Sequence, residues 1–220
     1  MTNALLMSRG ESAEFLHQWV LGVLSELPSQ KPSASLLDLG CGTGTFLGAL
    51  GQGGYTDLMG CDGHEFKGTS RFKFVKADLN AKLPFKDAQF AIVTAIEVIE
   101  HLENPRHLVR EIFRILKPGG LAIITTPNTE SITSLLSLGL RGFHSAFSDA
   151  DYPAHITPVL AVDLRRIFQE SLFENIQLKW SDQGRVPGVG WHWQQASRAL
   201  FRGKRFSDQL LLKALKKAHA

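Results

Sequence analysis

The chain has 220 residues, 44% hydrophobic and 20% charged, with a formal net charge of +3; this suits one soluble domain with a substantial core. The charge is too small to argue for a nucleic-acid or anionic-membrane partner, and no apolar run approaches the roughly 20 residues of a membrane span. Cys41 and Cys61 are the only cysteines, too few for a disulfide framework. Met1 to Gly10 lacks the basic flank and apolar run of a signal peptide, so a cytoplasmic location is expected, with peripheral membrane contact left open.

Residues 11–27 carry Phe15, Trp19, Val23, Leu24 and Leu27 at helical spacing, which predicts an amphipathic helix. Pro28 and Pro32 end it. Ser35 to Leu39 reads as a short strand running into Gly40-Cys41-Gly42-Thr43-Gly44, with a helix from about Thr45. Further strands are expected at Leu58–Cys61, closed by Asp62, at Phe72–Ala77, closed by Asp78, and at Phe90–Ala95. Asn104-Pro105 is a helix start, with Asn as cap and Pro in the first turn. Leu108, Val109, Ile112, Ile115 and Leu116 form its apolar stripe, Lys117-Pro118-Gly119-Gly120 stops it, and Leu121–Thr125 is a fifth strand. This alternation implies βαβ units and a mostly parallel sheet.

From Pro127 to about Pro158 the pattern lapses, save a short helix near Ile132 to Leu138. A helix over Val159–Glu170 and a strand over Ile176–Trp180 follow. Residues 181–208 read as irregular, and Gln209–Leu215 as a last edge strand. The expected organisation is a single domain over 1–220: the N-terminal helix at 11–27, a cofactor core at 33–128, a substrate lid at 129–158, and the C-terminal part of the sheet at 159–220.

In a doubly wound sheet, ligands sit beyond the carboxyl ends of the strands, where the glycine loop falls. Gly40, Gly42 and Gly44 do not match the dinucleotide spacing G-x-G-x-x-G, because Thr45 stands where its third glycine belongs. Asp38, two residues earlier, would repel a pyrophosphate but suit a ligand bearing cationic groups. S-adenosylmethionine carries an ammonium and a sulfonium and no phosphate. Asp62 is placed to accept ribose hydroxyls, and Asp78 to accept from the adenine amino group. The plainer alternatives are a ligand-free strand-to-helix turn for the glycines and ordinary loop aspartates for Asp62 and Asp78.

With Leu36-Leu37-Asp38-Leu39-Gly40-Cys41-Gly42-Thr43-Gly44 in view, the chain resembles the class I S-adenosylmethionine-dependent methyltransferases. The likeness continues through Asp62, Ala77-Asp78-Leu79, Glu97-Val98-Ile99-Glu100-His101-Leu102, Leu116-Lys117-Pro118-Gly119-Gly120 and Thr126-Pro127-Asn128. The resemblance implies an α/β fold, a doubly wound, mostly parallel seven-stranded sheet with a terminal antiparallel hairpin. It also implies S-adenosylmethionine as donor and S-adenosylhomocysteine as product. The implied cofactor residues are Asp38, Gly40, Cys41, Gly42, Gly44, Asp62, Gly63, Ala77, Asp78, Leu79 and Ala95. One departure is the short link from Asp62 to Phe72, which leaves the usual intervening helix shortened or absent.

Glu97, Glu100 and His101 follow the fourth strand and face the same crevice. His101 is a candidate general base, with Glu97 and Glu100 orienting it or the substrate. Alternatively, Glu97, Glu100 and His101 hold a divalent metal that polarises a hydroxyl. The Glu-x-x-Glu-His run resembles ubiquinone-pathway O-methyltransferases and small-RNA 2′-O-methyltransferases, in which these positions hold such an ion. His155 is a further ligand or base. The plain alternative is local capping and pairing. Phe143 to Pro158, with Phe147, Asp149, Asp151, Tyr152 and His155, resembles methyltransferases of bacterial cell-surface polysaccharide synthesis.

The expected acceptor is a hydroxylated small molecule or saccharide. Trp191-His192-Trp193 and Arg198 to Arg205 suit a lipid-linked or anionic acceptor, or else simply cover the sheet edge. Nucleic acid is disfavoured, since no concentrated basic stripe is present. Two rival expectations remain: a catalytically silent cofactor-binding module with a protein partner, and a nicotinamide-dependent oxidoreductase.

Overall fold

The computed structural model describes residues 12–26, 32–65, 72–198 and 200–218. Its seven strands are β1 (Leu36–Leu39), β2 (Leu58–Asp62), β3 (Lys73–Lys76), β4 (Phe90–Ile96), β5 (Leu116–Pro127), β6 (Phe173–Trp180) and β7 (Gln209–Lys216). The helices are α1 (Glu14–Ser25), α2 (Thr45–Gln52), α3 (Pro105–Ile115), α4 (Ile132–Arg141), α5 (Ala161–Glu170) and the single turn α6 (Trp193–Ala196). One sheet runs in the order β3-β2-β1-β4-β5-β7-β6. The first five strands pair in parallel, and β7 is antiparallel to both its neighbours.

Alternation within the central strands assigns each face its layer. Leu37 and Leu39 of β1, with Val93 and Ala95 of β4, join Leu108 and Ile112 of α3 and Leu164 and Phe168 of α5 on one face. Leu36, Ile92 and Ile96 join Leu16, Val20 and Leu24 of α1 and Phe46, Leu47 and Leu50 of α2 on the other. Asn104 caps α3 as its sequence implies, its side chain accepting the His107 amide at 3.1 Å with Pro105 in the first turn.

Three expectations are corrected. Gln209–Leu215 is not the edge strand: β7 lies between β5 and β6, and β6 takes the edge. Burial explains this, since Leu210, Leu212 and Ala214 enter one core layer and Leu211 the other, whereas β6 leaves Glu174, Asn175 and Gln177 exposed. The Lys117-Pro118-Gly119-Gly120 stop belongs to β5, as an irregular stretch in which Gly119 takes φ 74° and the register with β4 shifts. The 181–208 stretch holds α6, a 3₁₀ turn at Lys204–Phe206 and one bridge, Arg185 to His192. The expected loss of a helix between β2 and β3 falls on residues 66–71, outside the described residues. No described helix is long and apolar enough to cross a membrane.

Candidate active site

A cavity of about 400 Å³ opens beyond the carboxyl ends of β1, β2 and β4, at the point where the strand order reverses. The glycine loop forms its floor. Gly40 has φ 68°, and a Cβ there would stand 2.4 Å from Val98 Cγ2, so backbone and side chain pack where only glycine fits. The Gly40 and Cys41 amides both donate to the Cys61 carbonyl, at 2.7 and 3.2 Å, tying the loop to β2. The Asp62 carboxylate accepts the Gly42 amide on Oδ2 and the His64 amide on Oδ1, each at 3.0 Å.

Asp38 is 3% exposed and accepts the Thr94 hydroxyl at 2.6 Å. Burial pushes its pKa up to about 7 against this hydrogen bond. Cys41 lines the same wall, but burial, then the Asp38 and Asp62 charges, push its thiol far up; burial raises the Cys61 thiol to about 12. Both sulfurs pack as neutral thiols.

After β4 the chain turns sharply. Glu97 takes φ 54°, a left-handed conformation costly for a side chain larger than glycine. Its amide donates to the Thr125 carbonyl and hydroxyl oxygens, at 3.2 and 3.1 Å, and the Thr125 hydroxyl donates to Glu97 Oε1 at 3.2 Å. Burial lifts Glu97 to about 7, and Thr125 and Gln209 restrain the shift only in part.

Glu100 is fully buried. Its Oε2 accepts the Thr126 hydroxyl at 3.0 Å, while Oε1 has no hydrogen-bond partner. Burial first, then the Glu97 carboxylate, drives its pKa well above the ordinary range. The 129–158 segment is pinned to this turn, the Ile156 and Thr157 amides both donating to the Glu100 carbonyl at 3.0 Å.

Two histidines meet at the cavity wall, with ring centroids 4.7 Å apart at 78°. His101 Nδ1 lies 2.8 Å from the Ala154 carbonyl and His155 Nδ1 2.6 Å from the Ala146 carbonyl. A carbonyl accepts only, so each Nδ1 is the donor in its contact and carries a proton. Burial, the largest influence, holds His101 below the usual histidine value. Ligand atoms of Glu100, His101 and His155 all lie within 4.8 Å of one another. This cluster takes in His155 in place of the expected Glu97, whose carboxylate sits with Thr125 instead.

Of the expected residues, Asp38, Gly40, Cys41, Asp62, Leu79, Glu97, His101 and His155 line the one cavity. Gly42 and Gly44 shape the loop without lining it. Gly63, Ala77, Asp78 and Ala95 also lie off the wall. Ala95 is in the core, and Asp78 is exposed with Oδ1 accepting the Asn80 amide at 2.9 Å. Trp191-His192-Trp193 and the described part of Arg198–Arg205 line no part of the cavity. Of the 129–158 segment, Ala150, Asp151, Ala154 and His155 line the cavity, and no residue of α4 does.

Sequence reading missed Ser12, His17 and Gln209. His17 interrupts the apolar stripe of α1, 6% exposed with Nε2 2.6 Å from the Ser12 hydroxyl, and that interruption is the signal that could have found it. Gln209 reaches the wall only because β7 runs antiparallel. Among the described lining residues are four carboxylic acids (Asp38, Asp62, Glu97, Asp151) and no Lys or Arg. Such a wall suits cationic groups and offers a diphosphate no counter-charge.

Residues 12–178 match a protein family described as a methyltransferase domain. Cycloartenol-C-24-methyltransferase 1 of Oryza sativa subsp. japonica is 32% identical over 133 residues, 50% of this chain and 38% of that protein. A ubiquinone biosynthesis O-methyltransferase of Pseudomonas fluorescens (strain SBW25) is 31% identical over 103 residues, 42% of this chain and 44% of that protein. The chain thus matches less than half the length of these relatives. An Archaeoglobus fulgidus SAM-dependent methyltransferase structure superposes with a TM-score of 0.66 at 21% identity, covering 91% of this chain and 94% of that one. The [4+2]-cyclase SpnF superposes at 0.62 with 18% identity, covering 91% and 80%. One fold therefore carries more than one chemistry, and function has to be argued from the site.

Proposed function

The chain belongs to the class I S-adenosylmethionine-dependent methyltransferase family, and from that premise we propose that it methylates a hydroxyl group of a small molecule or saccharide. The donor supplies an electrophilic methyl on a sulfonium. Asp38 and Asp62 are the residues to hold it: the ionised Asp38 offers counter-charge to the ammonium end, and Asp62, oriented by two amides, keeps lone pairs for the ribose hydroxyls.

One observation carries the oxygen acceptor: His101 and His155, each fixed by an Nδ1 hydrogen bond to a backbone carbonyl, stand together at the wall of an acidic cavity. A hydroxyl aligned for displacement must shed its proton, and His101, held by burial below the usual histidine value, is the imidazole to take it. Glu97 and Asp151 supply acceptors that orient a polyhydroxylated substrate. The test is formation of S-adenosylhomocysteine over a panel of hydroxylated acceptors. His101→Ala or His155→Ala should cut kcat by about a hundredfold or more while calorimetric affinity for S-adenosylmethionine stays within about twofold. Unchanged turnover in both variants would remove the base; cofactor binding with no turnover on any acceptor would favour a silent module.

A second reading is favoured by Glu100, whose buried Oε1 lacks a partner inside the cluster with His101 and His155. Those three residues would hold a divalent cation, an oxygen and two imidazole nitrogens suiting a borderline ion. The ion would polarise the acceptor hydroxyl. Loss of turnover on chelation, restored by added metal, separates this reading from a metal-free base.

A further inference from the structure

Helix α4 is amphipathic the wrong way round. A surface helix ordinarily turns its apolar stripe inward. Here Ser134 is the buried residue, its hydroxyl 2.9 Å from His144 Nδ1, and the Ser137 hydroxyl is buried beside it without a partner. Leu135, Leu136, Leu138 and Leu140 are instead 41%, 47%, 40% and 83% exposed.

The neighbouring 185–206 stretch extends the apolar surface. It is tied to α4 and the residues before it: the Thr133 hydroxyl donates to the Arg185 carbonyl, and Arg205 donates to the Glu130 carbonyl at 3.0 Å. It exposes Val189, Trp191, Leu200 and Phe201, with Trp191 at 65% and Leu200 at 83%. An apolar surface of this extent marks a place where something docks.

Charge selects the occupant. Residues 131–148 and 184–207 contain no Asp or Glu, but do contain Arg141, Arg185, Arg198, Arg202, Lys204 and Arg205. Arg185 is paired with Asp208 and Lys204 with Glu130, while Arg141, Arg198 and Arg205 stand exposed. The chain-wide charge of +3 conceals this local excess. A second copy of the chain would set these cations against their own kind. A nucleic acid would engage the arginines and leave the leucines in water. A bilayer with anionic headgroups accommodates both, the leucines and Trp191 entering the interface and the arginines meeting phosphates.

We propose that α4 and the 185–206 stretch form a docking surface for an anionic lipid bilayer. None of these residues lines the cavity, so the inference stands apart from the methyl-transfer reading.

The test is co-sedimentation of the full chain with vesicles of phosphatidylcholine alone or mixed with phosphatidylglycerol. The mixed vesicles should bind it about tenfold or more tightly, less so as salt is raised. Leu136→Glu/Leu140→Glu should weaken that binding about tenfold, and Arg141→Glu/Arg198→Glu should do the same, both with unchanged thermal unfolding because the sites are exposed. Equal binding to the two vesicle types would overturn the proposal, as would variants that sediment like the parent. So would a dimer by light scattering that Leu136→Glu converts to monomer, or tight retention of single-stranded RNA in place of vesicles.

Discussion

Burial holds the Asp38 carboxyl far toward its neutral form. Its carboxyl ordinarily titrates at 3.8 and is raised by burial to about 7. Between those values the folded protein keeps a proton that the unfolded chain has released. Stability from this group is therefore fully present below about pH 4 and lost as pH climbs through about 7. Binding a cationic donor asks for the ionised form, so affinity for S-adenosylmethionine should rise between pH 6 and pH 8, with proton release visible as a buffer-dependent calorimetric enthalpy. Asp38→Asn, which cannot ionise, should flatten that dependence and weaken binding about tenfold or more. A parent protein whose affinity is level across this range would show that Asp38 does not pair with the donor.

At the scale of elements, the insertion of β7 between β5 and β6 is what closes the core. Leu212 is fully buried among side chains of the α3 and α5 layer, so Leu212→Ala should cost about 2–5 kcal/mol in urea unfolding. Ile176→Ala, on the edge strand and only partly buried, should cost clearly less.

The same strand marks where sequence reading stops. β1, β4 and α3 were legible because period, cap and breaker all lie within a dozen residues of one another. The place of β7 is set by pairing with Pro127 and Trp180, far off in sequence, and no local pattern encodes it. Asp38, Asp62, Glu97 and His101 are legible because they stand at or shortly beyond the carboxyl ends of strands in a recognisable sheet. The contact of His101 with His155 depends on how residues 146–157 fold back onto Glu100, and Gln209 depends on the direction of β7. Asp78 is likewise legible as a carboxylate beyond a strand end, but its turn with Asn80, which leaves it exposed, is not.

For the molecule as a whole, the contrast lies between a slightly basic chain and a cavity whose described lining holds four carboxylic acids and no Lys or Arg. That asymmetry predicts selection between nucleotide-like ligands. Calorimetry should detect S-adenosylmethionine and S-adenosylhomocysteine binding, and no heat with NADH at the same concentration. Saturable NADH binding displaced by S-adenosylmethionine would mean that the acidic wall does not govern choice of ligand.

The order of strands also bears on how the chain is made. β6 leaves the ribosome before β7, the strand that must sit between it and β5, so a nascent chain that has reached Trp180 has nothing to pair β6 with and leaves the flank of β5 open. Unpaired strand flanks invite sticking to other chains. The half-built sheet therefore has to be shielded until residues 209–216 emerge, and translation stalling within 181–208 should send this protein to chaperones or to aggregates rather than to a smaller folded form.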